Sequence, residues 1–260
     1  MSALRYLGAL IAVNLRSVRA QPALTLTAAA MMIGNNLIIF SIWFIYFAKF
    51  SNLRGWVLAD MGMLIGIVAW GFGLTVALAG GVRDIAQIIV DGRLDVYLGR
   101  PRHPLPALLL SRSIPSGFGD MISAFIFWIW IAKCSAVEII VLLALSTAAG
   151  VILCATLAIT QCIVFWWPRA HSFCEDLFNM LLMVAFYPQH PYGLIVRILL
   201  LTVFPTGLIA LVPVEAIREA SVPKALAILA AAVIYALLAK WIFDRGVRNY
   251  SSGNRMIELR

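Results

Sequence analysis

The chain has 260 residues, of which 63% are hydrophobic and 12% charged, with a mean hydropathy of +0.96 and a formal charge of +8. That composition excludes a soluble globular domain. It also leaves no water-soluble fold on which to gather base for nucleic acid, so no nucleic-acid partner is expected and the surplus charge reads as membrane topology.

The first element is short and basic. Its apolar core, residues 7–13, is followed by Arg16 and Arg19 rather than by a small-residue cleavage site, so it is not a signal peptide. At about 100° per residue, Leu4, Leu7, Ile11, Leu15 and Val18 fall on one side of a helix and Arg5, Arg16 and Arg19 on another. Residues 2–21 therefore read as an amphipathic interfacial helix with its arginines toward anionic lipid headgroups. The plainer alternative is a cytosolic cap on the first span. Gln21-Pro22 breaks it.

Apolar runs long enough to cross the hydrocarbon, which takes roughly 20 helical residues, follow at 23–47, 56–80, 114–132 and 139–165. A short fifth span is expected at 171–187 and a last one at 224–243. Residues 49–55 and 133–138 are tight turns between neighbours. With the N-terminus inside, fourteen of the 20 basic residues lie on the inner side, which by the positive-inside rule places both termini in the cytoplasm. The fold expected is all-α and polytopic, a single transmembrane domain over 1–260 with six crossings and a cytoplasmic tail at 244–260.

On the second span Gly62 and Gly66, with Ala59, Gly71 and Gly73, form a small-residue strip that allows close helix approach, within the chain or between subunits. Asp60 and Asp120 sit just inside their spans. Intramembrane acids are functional candidates, but both lie near enough to an interface to snorkel to water. Trp43, Phe44, Tyr46 and Phe47, and at the other side Trp166 and Trp167, fit interfacial aromatic belts. Cys134, Cys154, Cys162 and Cys174 have no CxxC spacing and read as small apolar fillers.

Residues 188–223 allow three readings. The apolar run 194–212 could be a seventh crossing, or could replace 171–187 as the fifth span. The favoured reading is a re-entrant pair of half-helices on the outer side, broken at Pro205 and framed by Pro188, Pro191, Pro213 and Pro223. Broken backbone at membrane depth is tolerated only inside protein or along a water-filled cavity.

No catalytic motif is legible. All four lysines follow Ala or Pro, so there is no Gly-Lys-Ser/Thr phosphate loop; His103, His171 and His190 lack zinc spacing, and no GxSxG is present. No cofactor or metal is expected on this chain.

Residues 82–105, "VRDIAQIIVDGRLDVYLGRPRHPL", interrupt the apolar sequence with Arg83, Arg93, Arg100 and Arg102 interleaved with Asp84, Asp91 and Asp95. Ile85, Ile88 and Ile89 make an i, i+3, i+4 face, Asp91-Gly92 ends that helix, and residues 94–98 start a second piece stopped by Gly99 and Pro101. A plain connector needs only a few polar residues. A shaped surface of mixed charge offers a protein partner a grip, although a solvated loop is the simpler alternative.

"DGRLDVYLGRPRHPL" resembles the signature between spans two and three of small six-span ABC-2 type transporter permeases. The arginine-studded N-terminal helix, "LLLTVFPTGLIALVPVEAIREA" and "RGVRNYSSG" are similar to further parts of that family, so the likeness covers essentially the whole chain; His103 departs from the neutral polar residue commoner there. The resemblance implies a coupling helix within residues 82–100 that docks on a separate ATP-binding cassette subunit. Asp91, Gly92, Arg93, Leu94, Asp95, Leu98 and Arg100 would form the contact, with Leu94 and Leu98 as apolar anchors and Gly92 in the turn. It further implies an exporter of two permease subunits, identical or paralogous, and two ATP-binding subunits holding Mg-ATP, in a bacterial-type cytoplasmic (inner) membrane. The rival classes are a membrane-embedded lipid-modifying enzyme and an ion-driven secondary transporter, which would show matched broken halves.

Overall fold

A computed structural model describes residues 3–50, 52–53, 55–187, 193–202 and 204–250. Helix α1 (Ala3–Ala20) hands over at Gln21 to α2 (Pro22–Lys49), where Pro22 occupies the first turn, the one place a helix does not miss its N–H. The next helix, α3 (Leu58–Ala79), does not stop at Gly80 as expected. It tightens through a 3₁₀ turn, Gly80–Asp84, and continues as α4 (Ile85–Val90). Two short helices, α5 (Asp95–Leu98) and α6 (Pro104–Leu109), lead to α7 (Ser116–Ile126), extended by a π turn over Phe127–Ile131. Then come α8 (Ala136–Gln161), closed by a 3₁₀ turn Cys162–Phe165, α9 (His171–Ala185) and α10 (Leu194–Thr202). A π turn Gly207–Leu211 feeds α11 (Val212–Arg218), and α12 (Val222–Asn249) completes the described chain. Residues 251–260, the end of the expected tail, lie outside the described residues, as do 188–192 at the start of the expected outer segment.

Four helical paths are long and apolar enough to cross a membrane: Pro22–Lys49, Leu58–Val90, Ala136–Phe165 and Val222–Asn249. They coincide with the expected first, second, fourth and sixth spans. The expected third is an 11-residue helix plus a five-residue π turn, and the expected fifth is the 15-residue α9. At about 1.5 Å per residue, neither reaches the roughly 30 Å of the hydrocarbon by itself. The run 194–212 is not one continuous helix. Its two helical stretches are separated at Phe204-Pro205, where the missing proline N–H and the ring interrupt the ladder.

Helix α3 is the centre of the bundle, and glycines set how close its neighbours come. A Cβ on Gly71 would lie 3.1 Å from the backbone nitrogen of Gly150 on α8, and Thr75 Oγ1 donates across the same contact to Gly150 O at 3.1 Å. A Cβ on Gly73 would meet Asp120 Cβ of α7 at 2.7 Å, and Gly66 makes room for the Trp128 indole. The small-residue strip thus packs within the chain. Between α2 and α7, Gly119 faces Ala29, and Asn36 Nδ2 donates to Asp120 Oδ1 at 2.8 Å. Both polar side chains are buried, so neither snorkels. Asp60 is also buried, at the opposite end of α3 from Gly80, where it accepts from Val57 N at 2.9 Å and pairs with Arg218 at 3.3 Å. Arg218 Nη2 also donates to Gly55 O at 2.8 Å, tying α11 to the start of α3. The four cysteines are free.

Candidate functional site

The segment between α3 and α7 is a folded excursion with a closed base. Ile114 N donates to Val76 O at 2.9 Å, Ser113 Oγ donates to Ala77 O, and Arg112 pairs with Asp84 at 3.1 Å. Gly81 lies hard against Leu108 O and Ser111 Oγ, a contact only a glycine permits. The excursion therefore leaves and returns to the bundle through one narrow neck.

Its first helix carries the apolar face read from the sequence. Val82, Ile85, Ala86, Ile88 and Ile89 are all buried. They face the C-terminal end of α8, where Ala86 N donates to Gln161 Oε1 at 3.3 Å, so protein rather than lipid covers them. Helix α4 ends in a Schellman motif: Gly92 N donates to Ile89 O at 3.1 Å and Arg93 N to Ile88 O at 3.0 Å, with Gly92 at φ +70°. A left-handed residue is required here, and glycine adopts it without a Cβ clash.

That turn decides which side chains face out. Leu94, expected as an exposed anchor, is fully buried. The Schellman turn swings the chain back so that residue 94, just past the bend, points into the core. Leu98 is 37% exposed and Val96, which the sequence reading missed, is 65% exposed. With Leu94 inward and Tyr97 half-buried three residues on, Val96 falls on the opposite side of a helical turn; the apolar residue was legible in the sequence, its phase was not. Asp91, Arg93, Asp95 and Arg100 are exposed around this apolar tip. Asp91 is held by Arg93 at 2.9 Å and by Gln87 Nε2 at 2.6 Å. Arg100 lies 5.1 Å from the Tyr97 ring centroid, and its Nη1 donates to Tyr6 Oη at 3.3 Å.

That last contact brings in α1. Its arginines Arg5, Arg16 and Arg19 are exposed, whereas Leu7, Ile11 and Leu15 are half-buried and Val18 is buried, the two faces expected of an interfacial helix. The inward face rests partly on protein. Asn14 Nδ2 donates to Leu110 O at 2.7 Å, and Arg102 stacks 5.0 Å from the Tyr6 ring. The last span closes the other flank. His103 Nδ1 accepts from Leu105 N at 3.3 Å, which leaves Nε2 as the N–H that donates to Asp244 Oδ1 at 2.6 Å. Tyr250, just beyond α12, lies beside Asp95; burial, and then that carboxylate, push its phenol above its ordinary pKa. Segments from both ends of the chain thus brace residues 82–105.

No cluster of three or more His, Cys, Asp or Glu able to hold a metal exists among the described residues. A multi-pass helical chain with a braced, charged excursion fits the comparison with known families. A model described as ABC-2 family transporter protein matches residues 18–253. The chain belongs to the ABC-2 transporter family. No curated protein and no solved structure gives a match. Membership assigns this ABC-2 chain to membrane transport rather than to enzymatic chemistry and makes it a multi-pass membrane permease.

Proposed function

We propose that this ABC-2 permease is the membrane subunit of an exporter and that residues 82–105 couple it to a separate ATP-binding subunit. The observation that carries the proposal is the exposed Val96–Leu98 tip, ringed by Asp91, Arg93, Asp95 and Arg100, on an excursion closed at its neck. An exposed apolar pair on a rigid, charged mount is suited to insert into a partner groove, because interface energy concentrates in a few buried anchors. Gly92 acts here as the turn that presents the tip, and Leu94 as the pin that holds it. Two permease chains, identical or paralogous, would enclose the path, and two partner subunits would bind and hydrolyse Mg-ATP.

The orientation proposed is N-in and C-in with six crossings in a bacterial-type inner membrane. It rests on the basic residues gathered on the side of α1 and residues 82–112. In this arrangement α7 and α9 are short crossings completed by their connecting turns. The two halves of 194–212 enter and leave from the outer side, at the end of the bundle where Arg218 meets Asp60. Co-expression with a tagged ATP-binding subunit tests coupling: the wild-type chain should co-purify and support substrate-dependent ATP hydrolysis, and its failure to do either would overturn the assignment.

A further inference from the structure

We infer that the cytoplasmic end of the last span carries a binding site for the phosphate of an anionic phospholipid. Helix α12 presents Trp241, Arg245 and Arg248 at i, i+4 and i+7, one face of a helix. Trp166, from the turn that ends the fourth span, stands opposite. Together with Ile242 and Asn249 they line a cleft of about 330 Å³. Gly246 makes the juxtaposition possible. It lies against the Phe165 ring, so a side chain there would push the two helix ends apart and open the cleft.

The chemistry of the cleft is that of an interfacial headgroup. Arg245 sits 5.3 Å from the Trp241 ring centroid, which fixes a planar guanidinium whose donors meet no partner among the described residues. Among the described residues no carboxylate pairs with Arg245 or Arg248. The nearest acid along the helix, Asp244, is already held by Lys240 at 2.7 Å and His103 at 2.6 Å. Trp241 and Trp166 are 56% and 44% exposed, as tryptophans are at the headgroup level, with an apolar body toward the acyl chains and the indole N–H toward water. One effect opposes an anion: α12 ends here, and a helix C-terminus carries roughly half a negative charge. Two guanidinium groups, each with a full positive charge and reaching outward from the axis, outweigh it. Basic pockets between helices on the cytoplasmic side are suited to lipid headgroups. The membrane supplies the occupant at high local concentration.

The placement in the inner leaflet rests on the orientation proposed above, but the binding test does not. Native mass spectrometry of the full chain in detergent, titrated separately with phosphatidylglycerol, phosphatidylcholine and inorganic phosphate, reads the site at either end of the molecule. Phosphatidylglycerol should bind at least about tenfold more tightly than phosphatidylcholine, with inorganic phosphate far weaker than either. Arg245→Gln with Arg248→Gln should weaken phosphatidylglycerol about thirtyfold, on the scale of two basic contacts at a membrane surface. Lys49→Gln with Lys133→Gln removes the same charge from exposed positions away from the cleft and should leave that affinity within about twofold. Trp241→Leu, which keeps both arginines, should weaken binding about two- to fivefold, and stands in for the double variant if that fails to accumulate. Equal affinity for the two lipids, an unchanged double variant, or inorganic phosphate binding as tightly as the lipid would each overturn the site. A wrong orientation would show only in cysteine labelling, with the lipid preference intact.

Discussion

Leu94 and Val96 are two positions apart and have opposite duties. Leu94 fills the core beneath the turn, so Leu94→Ala should lower the thermal stability of the purified chain by about 2–5 kcal/mol, as truncation of a buried leucine does. Loss of partner binding in that variant would report unfolding as much as lost contact. Val96→Asp with Leu98→Asp should leave the melting temperature unchanged and abolish co-purification with the ATP-binding subunit, a loss of about 2 kcal/mol or more at a hot spot. If the double variant still co-purifies, the tip is not the contact. The sequence marked the turn through Asp91-Gly92, yet it did not set the phase of the helical turn after Arg93. That phase depends on the two backbone bonds of the Schellman motif, and these add no pattern to side-chain composition. Asp120 was likewise visible as an intramembrane acid, but its partner Asn36 is 84 residues away and joins it only through the fold. Asp120→Asn should keep the α2–α7 contact, and Asp120→Ala should cost about 1–3 kcal/mol by leaving the buried Asn36 amide without its acceptor; chemical denaturation of the two variants side by side separates them.

At the scale of elements, the central contact is glycine on glycine. The approach of α3 and α8 leaves no room for a side chain at Gly150, where an added Cβ would lie 2.8 Å from Gly71 O. Gly150→Leu should therefore destabilise the bundle by about 1–3 kcal/mol through overpacking, read as a lower melting temperature in detergent. An unchanged melt would mean that the helices separate at no cost. Four spans were legible as long apolar runs because length alone identifies them. The helices at the expected third and fifth spans are shorter than the runs read there. Apolar residues at 127–132 and 186–187 extend the hydrophobic count, whereas the helix geometry has already changed to a π turn or ended. The second run was read to end at residue 80, but the helical path continues there as a 3₁₀ turn, with Gly81 packed on Leu108 O and Ser111 Oγ.

For the molecule as a whole, orientation is the testable property. Single cysteines at Arg93 and Glu219 should react with a membrane-impermeant maleimide from the inside and from the outside respectively. Labelling of both from one side would exclude the six-crossing arrangement. The neck of residues 82–105 then acquires a mechanical meaning. An ordinary loop absorbs a push at its tip by splaying its two ends. Here the two sides of the neck are fastened to each other by Ile114–Val76, Ser113–Ala77 and Arg112–Asp84. A displacement imposed at Val96 would have to break this fastening to open the base, and would otherwise reach α3 and α7 together, as torque on a handle reaches both jaws of a clamp. Slackening the fastening while sparing the tip should separate grip from work: the partner would still be held, and its hydrolysis would run idle.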